Sequence, residues 1–302
     1  MIRSSIDLGT NTCLLLIVEW DPKEKAITRV LRDEATVVRL GEGVDQTRQL
    51  QLAPMERVLW CLKDYAETIQ LVGGNPSETV CVATSQARDA KNSAEFFDKI
   101  KSKFGFSFRT ISGDQEAHYT FLGGLLPEMD RDKAAVIDIG GGSTEIISSH
   151  GGQSIDLGSV RYTERFFKSD PVTDDEFWAC QEAVDHALQS FIPWRKTQPE
   201  LADLVAVAGT ATTLAAWHLD LKEFDSNRVD ATVLSRGDVH RMVEELKWRT
   251  VEERRKLPCM EPMRADVLLA GAMILWRMME ILDFKECKVS SRGLRYGLIS
   301  DV

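Results

Sequence analysis

The chain has 302 residues, of which 43% are hydrophobic and 28% charged, a composition that excludes a disordered or fibrous protein. Its 47 acidic residues exceed its 37 basic ones, which gives a formal net charge of −10. This excess argues against a general nucleic-acid binder and against an anionic membrane as partner, because both need concentrated Lys and Arg. The length favours two domains or one large one.

The cysteines and the N-terminal sequence bear on the cellular compartment of the protein. None of the six cysteines forms a C-x-x-C pair and several lie in apolar runs, so we expect buried free thiols in a reducing compartment. The chain passes from Met1 directly into a strand pattern without a basic-then-apolar leader, and its apolar runs are too short to span a bilayer. We therefore expect a cytoplasmic protein with no membrane partner.

The first part of the chain reads as strands followed by alternating helices and strands. A helix with Pro54 near its first turn follows the initial strands, and Asn92 with Glu95 has the spacing of a capping box that opens a second helix. A third helix is predicted at Gln115–Leu126. The predicted strands are Arg3–Leu8, Cys13–Glu19, Ala26–Arg32, Thr36–Leu40, Thr79–Ala83 and Phe106–Ile111.

A polar segment, Leu126–Lys133, interrupts these patterns and predicts a domain junction. Beyond it we predict strands at Ala134–Ile139, Glu145–Ser148, Leu204–Ala208 and Cys287–Val289, and helices at Asp175–Ile192, Ala211–Leu219, Gly237–Arg249, Arg264–Leu282 and Gly293–Ser300. This order indicates two α/β lobes with mixed sheets, residues 1–126 and 127–302. The C-terminal segment 293–302 either stays with the second lobe or packs back on the first.

One supersecondary unit occurs twice, as Ile6–Thr12 and as Ile137–Thr144. Each copy is a strand ending in Asp, a Gly turn, small polar residues and another strand. Such a turn leaves N–H groups free to bind phosphate oxygens, while the Asp can hold Mg²⁺ directly or through water. The alternative is a pair of hairpin turns without a ligand, which two matching copies make less attractive. The predicted phosphate-binding residues are Gly9, Thr10, Asn11, Thr12, Gly140, Gly141, Gly142, Ser143 and Thr144.

A third glycine turn follows the strand Leu204–Ala208 and opens into a helix. This arrangement aims the N-terminus of a helix at an anion. The sequence matches neither the P-loop nor the Rossmann pattern, and a capped helix start without a ligand is the alternative. We add Gly209, Thr210, Ala211 and Thr212 to the predicted phosphate-binding residues.

Six segments in chain order carry a specific resemblance. Together they closely resemble the exopolyphosphatase / guanosine pentaphosphate phosphohydrolase family, which belongs to the actin-like superfamily. The segments are Ser5–Thr12, Ala83–Asn92, Ile111–Ala117, Val136–Glu145, Gly209–Ala216 and Gly293–Leu298.

The resemblance implies two actin-like (ribonuclease H-like) lobes with an active-site cleft between them. It implies release of terminal phosphate from inorganic polyphosphate or guanosine pentaphosphate with Mg²⁺ or another divalent cation. Glu116 is then the general base; Asp138 and Glu145 position metal and water, Asp7 is their counterpart in the first lobe, and Arg88 contacts phosphate. From the residues alone, Glu116 could instead be a helix-dipole carboxylate, and Arg88 part of a surface charge pattern with Asp89.

Three features depart from the family pattern. Asp114 and Gln115 stand where Glu is frequent, which thins the acidic cluster around Glu116, and Tyr296 stands where Glu is frequent. Many relatives also continue into a helical C-terminal domain, so we expect this acidic chain to lack their long basic channel and to prefer short polyphosphate. Weaker candidates for phosphate contacts are Arg161, Arg165 and Arg295.

Two other functions remain open at this stage. A phosphotransferase of the same superfamily would pass phosphate to ADP or a sugar, and a sensor would bind guanosine pentaphosphate or polyphosphate without cleaving it. The apolar helix predicted at Val267–Leu282 would either pack inside the second lobe or form the interface of a homodimer.

Overall fold

The computed structural model describes residues 1–126, 128–198, 200–230 and 232–300, and these form two compact units. The first unit contains Met1–Gly123 and the C-terminal residues from Leu294 onward, and the second contains Gly124–Gly293. Pro127, the predicted start of the second lobe, lies outside the described residues, as do Asp301 and Val302 at the end of the predicted C-terminal segment.

Both units are built from strands and helices in alternation. The first unit contains β1 (Ile2–Leu8), β2 (Thr12–Asp21), β3 (Ala26–Val37), α1 (Val44–Thr47), α2 (Leu52–Leu71), β4 (Val80–Ala83), α3 (Ser85–Asp89), α4 (Ser93–Phe104), β5 (Phe108–Thr110) and most of α5 (Gly113–Gly124). The second contains β6 (Ala134–Ile139), β7 (Thr144–Ser148), β8 (Gly151–Ile155), α6 (Ser159–Phe166), α7 (Asp174–Leu188), α8 (Phe191–Lys196), β9 (Asp203–Val207), α9 (Ala208–His218), α10 (Ser226–Val229), β10 (Val233–Ser235), α11 (Arg236–Lys247), α12 (Val251–Arg254), α13 (Leu268–Ile281) and β11 (Glu286–Val289). The last helix, α14 (Leu294–Ser300), returns to the first unit.

The second sheet repeats the strand order of the first and adds one strand, β10, at its edge, which extends the sequence echo beyond the turns. The first sheet has the order β3-β2-β1-β4-β5, and the second has the order β10-β11-β9-β6-β7-β8. In each, a strand ending in the echoed Asp pairs antiparallel with the next strand in the chain and parallel with a later one. Each echoed turn therefore connects two neighbouring inner strands at one end of its sheet.

Apolar side chains at regular spacing form a separate core in each unit. In the first unit Val58, Leu62, Tyr65 and Ile69 form one buried stripe of α2, which packs on the sheet beside α4. In the second unit α13 is apolar on nearly all sides, and its residues from Leu268 to Leu275 are buried. This is the first of the two alternatives stated for the apolar helix, packing inside its own unit.

Several predicted elements were wrong in extent. Ala26–Arg32 and Thr36–Leu40 were predicted as two strands, but one strand, β3, runs to Val37 and keeps its pairing with β2 across two register shifts. The helix predicted at Asp175–Ile192 ends at Leu188, and β8 and β10 were not predicted. Among the described residues, no helix is both long and apolar enough to cross a bilayer.

The predicted capping box of the second helix was also wrong. Asn92 stands at the N-cap of α4, but its side chain makes no capping hydrogen bond. Its amide instead pairs with the backbone of Leu50, accepting from the N–H at 2.8 Å and donating to the carbonyl at 3.0 Å. Asn92 therefore connects the start of α4 to the segment before α2, since the backbone of Leu50 provides both a donor and an acceptor.

Candidate functional site

Loop 1 is the turn Gly9–Thr12 of the first unit, and its carbonyls accept hydrogen bonds from the segment after β3. The N–H groups of Val38 and Arg39 both donate to the Asn11 carbonyl at 2.9 Å, and the Gly41 N–H donates to the Thr10 carbonyl at 2.9 Å. The amides of Thr10 and Asn11 donate to no acceptor in the described part of the chain. Loop 1 thus has the free donors that an anion-binding turn needs.

Side chains around loop 1 support the same interpretation. The Asn11 side-chain oxygen is buried and has no hydrogen-bond partner among the described residues. The Thr10 hydroxyl donates to the Gln86 side chain at 3.1 Å, and Gln86 donates to the Leu8 carbonyl at 2.7 Å. Gln86 was not singled out from the sequence, although it lies in the quoted segment Ala83–Asn92. A buried orphaned amide beside free N–H groups is a site that a polar ligand would complete.

Loop 2, the turn Gly140–Ser143 of the second unit, repeats this arrangement with different partners. The amides at the start of α6 donate to the loop carbonyls: Ser159 to Gly140 at 2.9 Å, and Val160 and Arg161 to Gly141 at 2.9 and 3.0 Å. The Arg161 side chain donates to the Gly142 carbonyl at 2.8 Å. The N–H groups of Gly141, Gly142 and Ser143 donate to no acceptor among the described residues. Loop 2 therefore uses its carbonyls within the unit and leaves these three N–H groups available to an anion.

Thr144 and Arg161 have contacts that bear on their predicted roles. Thr144 is fully buried, and its hydroxyl donates to the carbonyl of Leu157. Its proton is therefore already committed to the backbone. Arg161 is buried as well and supports the loop through Gly142, so its contribution is to the shape of loop 2. Arg165, the other weaker candidate on α6, is exposed.

Asp138 and Glu145 are direct cross-strand partners on β6 and β7. Glu145 is 1% exposed and accepts a hydrogen bond of 2.6 Å from Ser154 on the next strand. Two carboxylates directly opposite each other repel when both are ionised, and a bound cation would relieve that repulsion. Their position at the base of loop 2 makes them the predicted acidic pair of the second unit.

The donor set decides which metal these residues fit. Within the described ranges, no group of three or more His, Cys, Asp or Glu side chains is close enough to hold a metal ion alone. Mg²⁺ usually takes only one or two carboxylates and completes its shell with water and substrate phosphates. In each unit the carboxylates lie at the base of an amide-lined loop, Asp7 in the first and the Asp138–Glu145 pair in the second, and one or two carboxylates of this kind fit the usual ligands of Mg²⁺.

Arg88 and Glu116 form an ion pair in the first unit. The Arg88 Nη1 lies 2.8 Å from Glu116 Oε2 and also donates to the Ile111 carbonyl at 2.9 Å. The neighbouring Asp89 pairs instead with Arg48 at 2.9 Å. These contacts favour a pairing of Arg88 with Glu116 over the alternative of an Arg88–Asp89 surface pattern.

Burial dominates the electrostatics of Glu116, which is 7% exposed. Loss of solvent raises the pKa of its carboxyl above the ordinary value, and this effect exceeds the opposing effects of the Arg88 charge and of hydrogen bonds from Arg88 and Thr84. A carboxylate with a raised pKa is a stronger base toward water than an exposed one.

The departure at Gln115 has a structural explanation. The Ser112 hydroxyl accepts from the Gln115 N–H at 3.2 Å, and the Gln115 side chain accepts from the Ser112 N–H at 3.1 Å. This reciprocal pair is a capping box at the start of α5, the helix that carries Glu116 in its first turn. Gln115 therefore stabilises the start of α5, besides replacing an acidic residue near Glu116.

The third predicted phosphate-binding segment, Gly209–Thr212, which we call loop 3, lies in the first turn of α9. Gly209 and Thr210 lie in the first turn, where amides have no acceptor within the helix. Ala208, just before them, has a left-handed φ of 66°, which is strained for a residue with a side chain. The Thr212 hydroxyl donates to the Ala208 carbonyl at 3.1 Å, and Ala211 is buried.

Arg264 lies directly on loop 3 and was not among the predicted site residues. A Cβ added to Gly209 would be 1.6 Å from its Nη1, so only glycine leaves room for the guanidinium. Burial lowers the pKa of Arg264, against the opposing charge of Glu261. A guanidinium beside free helix amides adds positive charge where an anion would bind. In the sequence Arg264 was noted only as the first residue of the predicted helix Arg264–Leu282.

Comparison with known proteins gives a consistent picture. Residues 16–302 match the Ppx/GppA phosphatase family. The chain is 31% identical over 296 residues to a bifunctional 3-dehydroquinate synthase/phosphatase of Fusobacterium nucleatum, covering 94% of this chain but only 43% of that protein. It is 33% identical over 287 residues to exopolyphosphatase 2 of Mycobacterium tuberculosis, covering 90% of this chain and 88% of that one. The crystal structure of an exopolyphosphatase-like protein superposes with a TM-score of 0.90 at 29% identity, covering 100% of this chain and 98% of that one.

Proposed function

The chain belongs to the Ppx/GppA phosphatase family, and we propose that it hydrolyses the terminal phosphoanhydride bond of polyphosphate or guanosine pentaphosphate. The family assignment confirms the resemblance read from the six motifs, and the two mixed sheets flanked by helices confirm the predicted fold class. The enzyme class, a phosphatase acting on phosphoanhydrides, is confirmed at the level of the family.

The observation that carries the proposal is the environment of Glu116. Its carboxylate is 7% exposed, and Arg88 holds one of its oxygens at 2.8 Å. In hydrolysis a water attacks the terminal phosphorus in line with the leaving oxygen, and a positioned base takes one proton from that water. Glu116 supplies this base, and the bond to Arg88 fixes its direction.

The three loops supply the phosphate contacts. The free N–H groups of loop 1 and those of loop 2 can each donate hydrogen bonds to negative phosphate oxygens, and the start of α9 has further N–H groups next to the Arg264 guanidinium. Phosphoryl transfer needs little covalent participation by a protein, so donors placed where negative charge accumulates can supply most of the catalysis. Arg88 contributes positive charge close to the base.

A divalent cation completes this chemistry. When bound, Mg²⁺ would neutralise charge on the transferred and leaving oxygens. Each unit offers hard oxygen ligands that it prefers, Asp7 in the first and the pair Asp138 and Glu145 in the second. These carboxylates would hold a cation with its waters, and the loop amides would hold the phosphate.

The charge of the chain favours a short substrate. With a net charge of −10, an acidic surface repels the distal phosphates of a long polyanion, whereas a short chain or a nucleotide places only its terminal phosphates at the protein. We therefore propose short polyphosphate and guanosine pentaphosphate as the better substrates, and a cytoplasmic location for the reaction.

A panel of substrates tests the proposal directly. Phosphate release is measured with Mg²⁺ on short polyphosphate, long polyphosphate, guanosine pentaphosphate and ATP, and in parallel ATP formation is measured from polyphosphate with ADP. Release of free phosphate from polyphosphate or guanosine pentaphosphate without ATP formation supports hydrolysis. ATP formation would identify a phosphotransferase, and tight binding without turnover would identify a sensor.

A further inference from the structure

The side chain of Gln86 makes two hydrogen bonds whose directions are fixed by the groups that it meets. Gln86 is 2% exposed; its Nε2 donates to the Leu8 carbonyl at 2.7 Å, and its Oε1 accepts from the Thr10 hydroxyl at 3.1 Å. Because a carbonyl oxygen can only accept, the amide nitrogen must face Leu8 and the amide oxygen must face Thr10. The Thr10 hydroxyl therefore gives its proton to Gln86, and Thr10 offers a phosphate its backbone N–H rather than its hydroxyl.

Gly41 restrains the remaining parts of Thr10. A Cβ added to Gly41 would lie 2.2 Å from the Thr10 Cγ2, so the threonine methyl group packs directly on the glycine. The Gly41 N–H also donates to the Thr10 carbonyl at 2.9 Å. The carbonyl, the methyl group and the hydroxyl of Thr10 are thus all held, which fixes the direction in which loop 1 presents the N–H groups of Thr10 and Asn11.

The short helix α3 connects loop 1 to the predicted base. Gln86 lies on α3 two residues before Arg88, whose Nη1 lies 2.8 Å from Glu116 Oε2. The residue before α3, Thr84, donates its N–H to the Leu8 carbonyl at 3.4 Å, the same carbonyl that accepts from Gln86. Within the first unit, α3 therefore contacts loop 1 through Gln86 and Glu116 through Arg88.

We propose that Gln86 is a positioning residue for hydrolysis, which holds the phosphate bound at loop 1 at the distance from Glu116 that in-line attack requires. The assignment rests on the proposed function, because it takes loop 1 as a phosphate site and Glu116 as the base. Misplacement of reacting groups by about 1 Å can lower a rate about a hundredfold even when binding persists. Without Gln86, loop 1 keeps its N–H groups and Arg88 keeps its bond to Glu116, so substrate affinity should persist while turnover falls.

The test compares Gln86→Met with the wild type in phosphate release from short polyphosphate with Mg²⁺, across a range of pH. We expect kcat to fall about ten- to a hundredfold, KM to stay within about threefold, and the acidic limb of the kcat/KM profile to stay in place. Thr10→Val, which removes the hydroxyl that Gln86 holds, should show the same pattern, and the double variant should lose no more than either single one. Thr10→Ser keeps the hydroxyl and should retain kcat within about threefold.

Gln198→Met is the matched control, because Gln198 is 7% exposed and accepts from the Ser148 hydroxyl at 2.9 Å in the second unit. This variant also removes a buried hydrogen bond between an amide and a hydroxyl, but it should leave kcat unchanged. A merely structural role of Gln86 would make the two variants alike.

Four results would overturn the proposal: an unchanged kcat of Gln86→Met, a raised KM without loss of kcat, additive losses in the double variant, or an equal loss in Gln198→Met. If Gln86→Met does not fold, Thr10→Val and Thr10→Ser decide alone, and equal kcat values of these two overturn it. A wild type that cleaves polyphosphate no faster than Gln86→Met would retain the proposed function and refute only the role of Gln86. A wild type without turnover would refute both.

Discussion

Arg88 Nη1 lies 2.8 Å from Glu116 Oε2, and this ion pair joins the short helix α3 to the first turn of α5. The pair has opposing effects on the carboxyl, since burial raises its pKa and Arg88 lowers it. Arg88 thus keeps a buried base ionised over a wider range of pH than burial alone would allow.

Arg88→Met should narrow the pH range of activity. Removing the guanidinium leaves burial opposed only by the hydrogen bond from Thr84, so the pKa of Glu116 rises further and the ionised base forms only at higher pH. We expect the acidic limb of the kcat/KM profile to move to higher pH and the maximum to fall. Arg48→Met is the control, because Arg48 pairs with the adjacent Asp89. An acidic limb that stays in place would show that Arg88 does not act on the base.

Glu116→Gln should stabilise the folded protein at neutral pH. The folded-state pKa of Glu116 is raised, so between the unfolded value near 4.5 and the folded value the native state holds a proton that the unfolded state releases. Stability therefore falls as pH rises through this window, and a neutral glutamine avoids the loss. Urea unfolding at neutral and acidic pH checks this: the gain should shrink on acidification. The exposed Glu95→Gln should show no such gain.

Gly209→Ala should damage phosphate binding and stability together. Its Cβ would meet the Arg264 guanidinium at 1.6 Å, so either the arginine or the start of α9 must move. We expect a loss of about 1–3 kcal/mol in unfolding free energy and a raised KM. Gly237→Ala is the matched control, since Gly237 is also the second residue of a helix but a Cβ there meets only the Ser235 hydroxyl at 3.7 Å. Equal effects of both variants would contradict the role of the close approach.

Removal of the divalent cation by chelation and the substitution Asp138→Asn should both lower the rate of phosphate release, because both weaken the binding of the cation. EDTA should reduce phosphate release to background, and added Mg²⁺ should restore it. Asp138→Asn removes one of the two opposed carboxylates at loop 2, so half-maximal activity should need more than about tenfold more Mg²⁺. The exposed Asp132→Asn should keep the wild-type requirement. Full activity in EDTA would rule out the metal.

The elements of the fold that depend on a local sequence pattern could be predicted from the sequence. The echoed turns at Asp7 and Asp138 were predicted at strand ends, where the structure has them, because the apolar runs stop at the glycines. The short strand Gly151–Ile155 was missed because it contains two glycines and two polar residues and is defined only by its pairing with β7. Such strands depend on their partner more than on their own propensity.

Contacts between distant segments could not be predicted from spacing. Arg264 is 55 positions from Gly209, and only the fold shows that its guanidinium occupies the space of a missing side chain. Arg295 was considered as a phosphate contact, yet its guanidinium pairs with Asp33, 262 positions away in sequence. For Arg295 the residue type indicated an anionic partner, and the tertiary structure determined that this partner is Asp33.

The most direct test of the account is phosphate release by Glu116→Gln in a single turnover, with substrate affinity measured on the same protein. We predict that the rate of hydrolysis of short polyphosphate falls about 10²- to 10⁴-fold, while the dissociation constant stays within about threefold of the wild type. Loss of the base with intact binding would place water activation at Glu116. Near wild-type turnover would contradict the account, since another group would then have to take the proton.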